Sequence, residues 1–230
     1  MNKRIFFITV LLTTILIRPP LFFTQELVTA EKYLNDLSKA YGEINDYKAD
    51  ITITQGDSVM KGVLFYKKPN LLRINFTKPK DQVLVVNGES LIIYIPEHSV
   101  IMKQNLRRRG QETLASLASK EGLTQLKRNY SVAYEIGPEP VPLDEQSKLN
   151  VIKLKFEWRS PDEAFRQLNI SVTEDRLIRR IIGVTRNYEE IQFDFTNIDI
   201  NQNIPDARFT NYEPPPDANV FDNFLFKPEN

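Results

Sequence analysis

The fold is decided by residues 62–96, GVLFYKKPNLLRINFTKPKDQVLVVNGESLIIYIP, in which apolar runs alternate with residues that favour turns. The apolar runs predict four strands, and Pro69, Pro79 and the pair Asn87-Gly88 mark the turns between them. Proline suits a turn because it fixes φ and lacks a backbone donor, and Asn-Gly is the strongest two-residue hairpin signal. We therefore predict consecutive antiparallel hairpins in this stretch.

The second of these strands indicates how the sheet is buried, because its side chains alternate in the way typical of a sheet with one wet face. The alternating residues are Leu72, Ile74 and Phe76 on one face and Arg73, Asn75 and Thr77 on the other. The next two strands, 83–86 and 91–95, are apolar on both faces and must be covered on both sides. Helices, a second sheet or a ligand could supply this cover, and the sequence leaves all three open.

The composition suits one globular domain and argues against several kinds of chemistry. The chain has 230 residues, of which 41% are hydrophobic and 26% charged, and it has no cysteine. The lack of cysteine excludes thiol catalysis and cysteine-ligated metals. The formal charge is zero, and it becomes −3 without residues 1–25, which hold three basic and no acidic residues. A dedicated nucleic-acid partner is therefore not expected.

The pattern of charge and hydropathy in residues 1–25 predicts an export signal. Lys3 and Arg4 precede an apolar run of 13 residues, 5–17, which is shorter than the roughly 20 residues that span a membrane. No Ala-x-Ala site is present, so the cut could fall anywhere within 20–30, and an uncleaved anchor is the alternative. The remainder, 26–230, is predicted to be a single domain with a C-terminal tail at 221–230.

The order of the strand and turn motifs resembles the periplasmic outer-membrane lipoprotein carrier family, the LolA-like proteins. Gly-x-Leu-x-x-x-Lys-Pro-Asn-Leu begins at Gly62, and Asn-Gly-x-x-Leu-x-x-Tyr-x-Pro begins at Asn87. The segments 49–55 and 207–220 are similar to the family's opening strand and closing pattern, with Ala218 in place of the usual glycine. The resemblance implies a soluble chaperone that holds lipoprotein acyl chains between a curved sheet and covering helices.

We accordingly expect a mainly β fold with some α structure. Its core is a strongly curved antiparallel sheet, an incomplete β-barrel, whose concave face is covered by an N-terminal helix and short lid helices. The predicted helices are 30–43, capped by Thr29, and the lid helices 113–119 and 123–128. Strands are also predicted at 47–55, 99–103, 130–136, 149–158, 167–173, 177–185 and 190–200.

No catalytic or metal site is predicted. The single histidine, His98, follows a proline turn and has no indicated partner, so we expect a surface turn residue. No Gly-x-Ser-x-Gly elbow is present, and one histidine without cysteine makes a transition-metal site improbable. We expect neither enzymatic activity nor a cofactor. The basic run 107–109 could meet lipid headgroups or an acidic partner, although three charges are ordinary in a loop.

The resemblance also implies a set of binding residues, which without it would be interpreted as plain core. The acyl-chain cavity is predicted from Leu64, Leu72, Ile74, Phe76, Val86 and Ile93. The lid is predicted from Leu114, Leu117 and Ala118, and the turn that locks it from Lys68 and Pro69. Lys68 stands where many family members carry an arginine thought to reach lid carbonyls. Lys68→Arg is therefore expected to tighten the closed state, and Lys67→Arg to do little.

The implied role is that of a periplasmic, monomeric carrier. Its partners would be acylated lipoproteins, an inner-membrane lipoprotein-releasing complex and an outer-membrane acceptor, with no nucleic acid. The alternative is a half-barrel lipid-binding or lipoprotein-sensing domain that regulates a partner.

Overall fold

The computed structural model describes residues 28–106 and 118–223. Three predicted features lie outside these residues: the export signal at 1–25, the lid residues Leu114 and Leu117 with the basic run before them, and the end of the tail at 224–230.

The chain folds into many strands and few helices. The helices are α1 (Ala30–Gly42), α2 (Lys120–Asn129) and the single-turn α3 (Ala207–Thr210), with a 3₁₀ turn at Pro96–His98. The first strands are β1 (Asp46–Gln55), β2 (Ser58–Lys67), β3 (Leu71–Lys78), β4 (Val83–Asn87), β5 (Ser90–Ile95) and β6 (Val100–Asn105). The later strands are β7 (Tyr130–Tyr134), β8 (Val141–Pro142), β9 (Asn150–Trp158), β10 (Phe165–Val172), β11 (Ile178–Thr185), β12 (Glu190–Ile200) and β13 (Asn219–Asp222).

The strands form one open, strongly curved sheet, which confirms the predicted fold class. Its order is β13-β6-β5-β4-β3-β2-β1-β12-β11-β10-β9-β7, and the short β8 pairs with β9. The pairing between β1 and β12 joins two stacks of hairpins that lie far apart in the chain. Neighbours are antiparallel as predicted, except that β13 runs parallel to β6. That parallel edge strand was not predicted, because it lies beyond the alternating segments and follows a proline-rich stretch.

Helices α1 and α2 lie on the concave face. Helix α1 forms where predicted, and the hydroxyl of Thr29 caps it by accepting from the backbone N–H of Lys32 at 3.2 Å. Its buried stripe recurs at helical spacing and belongs to the main hydrophobic core: Ala30, Leu34, Leu37 and Tyr41. Helix α2 packs against α1 and β7 and adds Leu123 and Leu126 to this core. It begins at Lys120, three residues before the predicted second lid helix, because Ser119 caps it.

The convex face has a cover of its own. This cover explains how β4 and β5 can be apolar on both faces. Val86 faces the helices, whereas Val85 points the other way and is nonetheless fully buried. Residues 204–223, which we call the C-terminal strap, cross this face. The side chain of Arg73 points outward from β3 and donates to the backbone carbonyl of Arg208 at 2.9 Å. Phe209 of the strap is fully buried, and α3 packs on β3 and β4.

The strap is attached at its start by two charged residues of the sheet. The carboxylate of Asp46, only 2% exposed, accepts from the backbone N–H of Gln202 at 2.7 Å and of Ile204 at 3.2 Å. The ammonium of Lys67 donates to the carbonyl of Ile204 at 2.8 Å and lies 2.5 Å from a carboxylate oxygen of Asp206. Buried backbone groups need such partners, so these side chains fix where the strap begins.

Candidate functional site

The concave face of β1–β6 brings the predicted cavity residues together in rows that cross the strands. Residues directly opposite each other in a sheet project to the same side, so the register identifies each row. The central row consists of Ala49, Leu64, Ile74, Leu84, Ile93 and Met102. The flanking row consists of Tyr47, Tyr66, Leu72, Val86, Leu91 and Gln104.

All six predicted cavity residues lie on this face. Leu64, Ile74 and Ile93 belong to the central row, and Leu72 and Val86 to the flanking row. The sixth, Phe76, lies opposite Gly62 on the other side of the central row. Five of the six are at most 8% exposed and belong to the main core, whereas Ile93 is half-buried and packs against its rim. The six residues implied by the resemblance therefore share one apolar face, and its role in binding acyl chains stays a prediction.

Hydrogen bonds from two tyrosines join this surface to the segment that contains α2. The hydroxyl of Tyr47 donates to the backbone carbonyl of Ala118, the one predicted lid residue within the described ranges, at 3.0 Å. The hydroxyl of Tyr66 lies 3.2 Å from a carboxylate oxygen of Glu121 and 3.3 Å from the carbonyl oxygen of Pro69. The two rings are 5.1 Å apart between centroids. Sheet, turn and α2 therefore meet at this tyrosine pair.

Sequence reasoning missed the tyrosine pair, although a signal was present. Tyr66 follows Leu64 by two positions and Tyr47 precedes Ala49 by two, so the strand period alone places both on the concave face. A buried tyrosine usually finds a partner for its hydroxyl, which predicts a polar contact inside an apolar surface. The identity of that partner depends on the distant segment around Ala118 and could not be read locally.

Burial raises the pKa of the tyrosine hydroxyls on this side of the sheet. Loss of hydration raises the pKa of Tyr47 well above 10.0, with smaller contributions from Tyr41 and Tyr66. Burial likewise raises the pKa of Tyr41, whose oxygen accepts from the backbone N–H of Ile178 at 2.8 Å. The hydroxyl of Tyr47 is therefore protonated at neutral pH and available as a donor to Ala118.

The predicted locking turn lies beside the tyrosine pair. Lys68 and Pro69 are both exposed, and the backbone N–H of Lys68 donates to the carbonyl of Asn45 at 2.9 Å. Among residues 28–106 and 118–223, the side chain that connects this turn to α2 is Tyr66, through its contacts with Pro69 and Glu121. The side chain of the neighbouring Lys67 instead contacts Ile204 and Asp206 of the C-terminal strap.

The concave face shares one hydrophobic core with α1 and α2. Within the described residues, a small void of about 10 Å³ lies between α1, Ala118 and strands β1, β11 and β12, and it is lined mainly by apolar residues. That volume is close to the minimum for a single water molecule. Across the two described ranges, no helix has both the length and the apolar character needed to span a membrane.

These features define an open half-barrel of antiparallel strands whose apolar concave face shares one core with two helices. The family model described as outer membrane lipoprotein carrier protein LolA matches residues 52–211, and the chain belongs to this family. The match begins within β1 and ends just after α3, so it includes strands β2–β12 and excludes α1, the start of β1 and β13.

Individual relatives are distant. The chain is 25% identical over 161 residues to an outer-membrane lipoprotein carrier protein of Pseudomonas paraeruginosa, covering 69% of this chain and 70% of that protein. It is 34% identical over 68 residues to a protein of the same name from Yersinia enterocolitica, covering 27% and 34% of the two chains. Among solved structures, an uncharacterized conserved protein from Thermus thermophilus superposes with a TM-score of 0.53 at 12% identity, covering 84% of this chain and 98% of that one. This last similarity concerns the fold alone.

Proposed function

We propose that this protein binds the acyl chains of lipoproteins against its concave face and carries them through the periplasm from the inner to the outer membrane. The observation that carries the proposal is the central row, which sets apolar side chains from successive strands side by side on the concave face. Membership of the carrier family supports the same function. The role is binding and transfer, without a chemical reaction or a cofactor.

The energetics favour a closed cavity that opens for its cargo. Each buried methylene contributes about 0.8 kcal/mol, so one long acyl chain offers roughly 10 kcal/mol. A carrier must release this cargo again, which requires a modest net affinity. Here α2 already contributes Leu123 and Leu126 to the core on the concave face, and we propose that an incoming chain displaces such contacts. That displacement offsets part of the binding free energy and makes release possible without an energy source.

The displaced element is proposed to be the lid, residues 113–128, with Leu114, Leu117 and Ala118 on its apolar side. Within its described part, the hydroxyls of Tyr47 and Tyr66 hold the lid to the sheet. A hydrogen bond of this kind contributes about 0.5–1.5 kcal/mol net, which is small enough to break when cargo binds. We propose that the turn at Lys68 and Pro69 locks the lid by way of Tyr66, whose hydroxyl contacts both the turn and α2.

The partners in this cycle are acylated lipoproteins, an inner-membrane lipoprotein-releasing complex and an outer-membrane acceptor. We propose that residues 1–25 direct export, that the domain 26–230 acts as a monomer in the periplasm, and that the cavity is formed by the six predicted residues together with their row neighbours.

The binding step is tested with a fluorescent fatty-acyl probe and two adjacent variants. Ile92 and Ile93 are both half-buried on β5 and project to opposite faces. Ile93→Ser should weaken probe binding, whereas Ile92→Ser should leave it near the wild-type value. A folded Ile93→Ser protein that binds the probe as tightly as wild type would refute the assignment. Ile74→Glu should abolish capture, but it also buries a charge and must be checked for folding.

The transfer step is tested separately, by measuring movement of a purified lipoprotein from inner-membrane vesicles to acceptor membranes. A carrier should accelerate this movement, and its depletion should leave outer-membrane lipoproteins in the inner membrane. A protein that binds the acyl probe but never transfers lipoprotein would instead be a lipid-binding regulatory domain.

A further inference from the structure

The central row of the concave face continues past β6 onto the C-terminal strand. Met102 of β6 lies opposite Ile93 of β5 on one side and opposite Phe221 of β13 on the other. Directly paired residues of parallel strands project to the same face, so Phe221 lies on the concave side at the edge of the sheet. Val220, the preceding residue, pairs with Ile101 and projects to the convex side.

Burial falls steadily along this row toward the edge. Leu64 and Ile74 are buried, Ile93 and Met102 are half-buried, and Phe221 is 56% exposed. Every member from Ala49 to Phe221 is apolar. The result is a continuous hydrocarbon surface that leads from the interior of the domain to solvent at one edge of the sheet.

Strand β13 adds little to the core. All four of its residues are exposed, and backbone bonds hold its ends: Asn219 donates to Ser99 at 2.8 Å, and Asn223 donates to Lys103 at 2.7 Å. It also lies outside the family match, which ends at residue 211. Stabilisation of the fold therefore does not explain an exposed phenylalanine at this position. Phe221 instead extends the apolar surface that, in the proposed function, binds a lipoprotein acyl chain.

We infer that Phe221, together with Met102, forms the outer end of the acyl-binding row and contacts the distal part of a long acyl chain. This inference rests on the proposed function and adds Phe221, which lies beyond the family match. From Ile74 to Phe221 there are four strand spacings of about 4.8 Å, or roughly 19 Å in total. A long chain that lies across the strands reaches Phe221, whereas a short chain is accommodated by the inner residues alone.

The test uses acyl probes of different length with the same fluorophore, namely decanoyl, lauroyl and palmitoyl. Phe221→Ser should weaken palmitoyl binding by about fivefold, because it removes apolar contact only at the outer end, and should leave decanoyl binding unchanged. Val220→Ser is the matched control, since Val220 is 54% exposed on the same strand but faces the other side. It should change neither affinity. Both substitutions are at exposed positions, so the fold should be retained.

The remaining outcomes separate this inference from the proposed function. If wild type binds none of the probes, the proposed function and the inference both fail. If Ile93→Ser weakens binding but Phe221→Ser behaves like Val220→Ser at every chain length, only the inference is overturned. If light scattering shows a dimer that both Val220→Ser and Phe221→Ser abolish equally, the edge is a contact between two copies, and the inference is again overturned.

Discussion

The hydroxyl of Tyr47 donates a hydrogen bond of 3.0 Å to the backbone carbonyl of Ala118, which lies 71 positions further along the chain. This bond joins the first strand to the segment that leads into α2. Its donor is buried, and the Tyr47 ring stacks at a tilt on Tyr66, whose hydroxyl contacts the same helix at Glu121. The two tyrosines therefore form the polar connection between an apolar sheet and its helical cover.

Tyr47→Phe should loosen that cover. The substitution removes one hydrogen bond and leaves the Ala118 carbonyl without it, which costs about 0.5–1.5 kcal/mol. Hydrogen exchange in 118–129 should become faster, while exchange in β5 should stay as in wild type. Tyr94→Phe is the control, because Tyr94 is half-buried on the convex side. Equal exchange in 118–129 for the two variants would show that the Tyr47 hydroxyl does not hold the lid.

Gly62→Ala should destabilise the sheet. Strand β2 has an irregularity between Lys61 and Gly62, and a Cβ at Gly62 would lie 2.5 Å from the backbone oxygen of Asn75. Because backbone cannot move aside as a side chain can, we expect a loss of about 1–3 kcal/mol in urea unfolding. Gly137→Ala meets no atom within 4 Å and should be neutral or slightly stabilising. An unchanged free energy of unfolding in Gly62→Ala would contradict this prediction, because it would show that β2 and β3 can move apart without loss of stability.

Asp46→Ala should release the C-terminal strap. It leaves the buried backbone N–H of Ile204 without its acceptor, at a cost of about 1–3 kcal/mol, whereas water can replace the acceptor lost by the exposed Gln202. The exposed Asp57 provides the control, and Asp57→Ala should change the free energy of unfolding very little. Limited proteolysis should cut the Asp46→Ala protein within 204–223. Resistance equal to wild type would contradict the anchoring role.

The two lysines before Pro69 should differ in their effect on the strap. Lys67→Met removes the contacts with Ile204 and Asp206 and should lower stability by about 1 kcal/mol, since the ammonium is partly exposed. Lys68→Met removes an exposed side chain and should leave the free energy of unfolding unchanged. From the sequence, Lys67→Arg is expected to do little, but the contacts of Lys67 with Ile204 and Asp206 make it unsuitable as a silent control. The proposed locking role of Lys68 is tested by lipoprotein transfer from Lys68→Arg.

Stability should fall at alkaline pH. Burial raises the pKa of Tyr33 and of Tyr130 from 10.0 to about 12, an effect opposed at Tyr33 by Arg176. The folded state therefore keeps these protons where the unfolded chain has lost them. Their contribution is fully present below about pH 10 and is lost as the pH rises toward 12. Urea unfolding across this range should show the decline, and Tyr33→Phe should reduce its slope. A slope unchanged by that substitution would contradict the assignment.

Local signals were sufficient to predict most of the sheet. The turns at Pro69, Pro79 and Asn87-Gly88 determine which strands are neighbours, and period-two alternation places Leu72, Ile74 and Phe76 on one face. Thr29 and the spacing of Leu34 and Leu37 were likewise enough for α1. These features depend on residues that are close together in the sequence, so they can be predicted without the structure.

Contacts between distant segments could not be predicted in the same way. The cover of Val85 is the C-terminal strap, an irregular stretch with no periodic pattern and three consecutive prolines, so nothing local assigns it to a face of the sheet. The partner of the Tyr47 hydroxyl depends on where the chain returns after β6. The parallel pairing of Phe221 with Met102 depends on the strap's path, and a four-residue exposed strand has no amphipathic signal.

The pairing of β1 with β12 has a consequence for how the chain assembles. Tyr47 lies opposite Ile200, so the strand made first finds one of its two neighbours only after nearly all of the domain is available. Closing so large a loop is entropically costly, which makes this pairing a late and slow event. Until then β1 offers an unpaired edge to any other extended chain. A polypeptide truncated before residue 190 should therefore aggregate through β1, whereas the full chain can pair this edge once β12 is available.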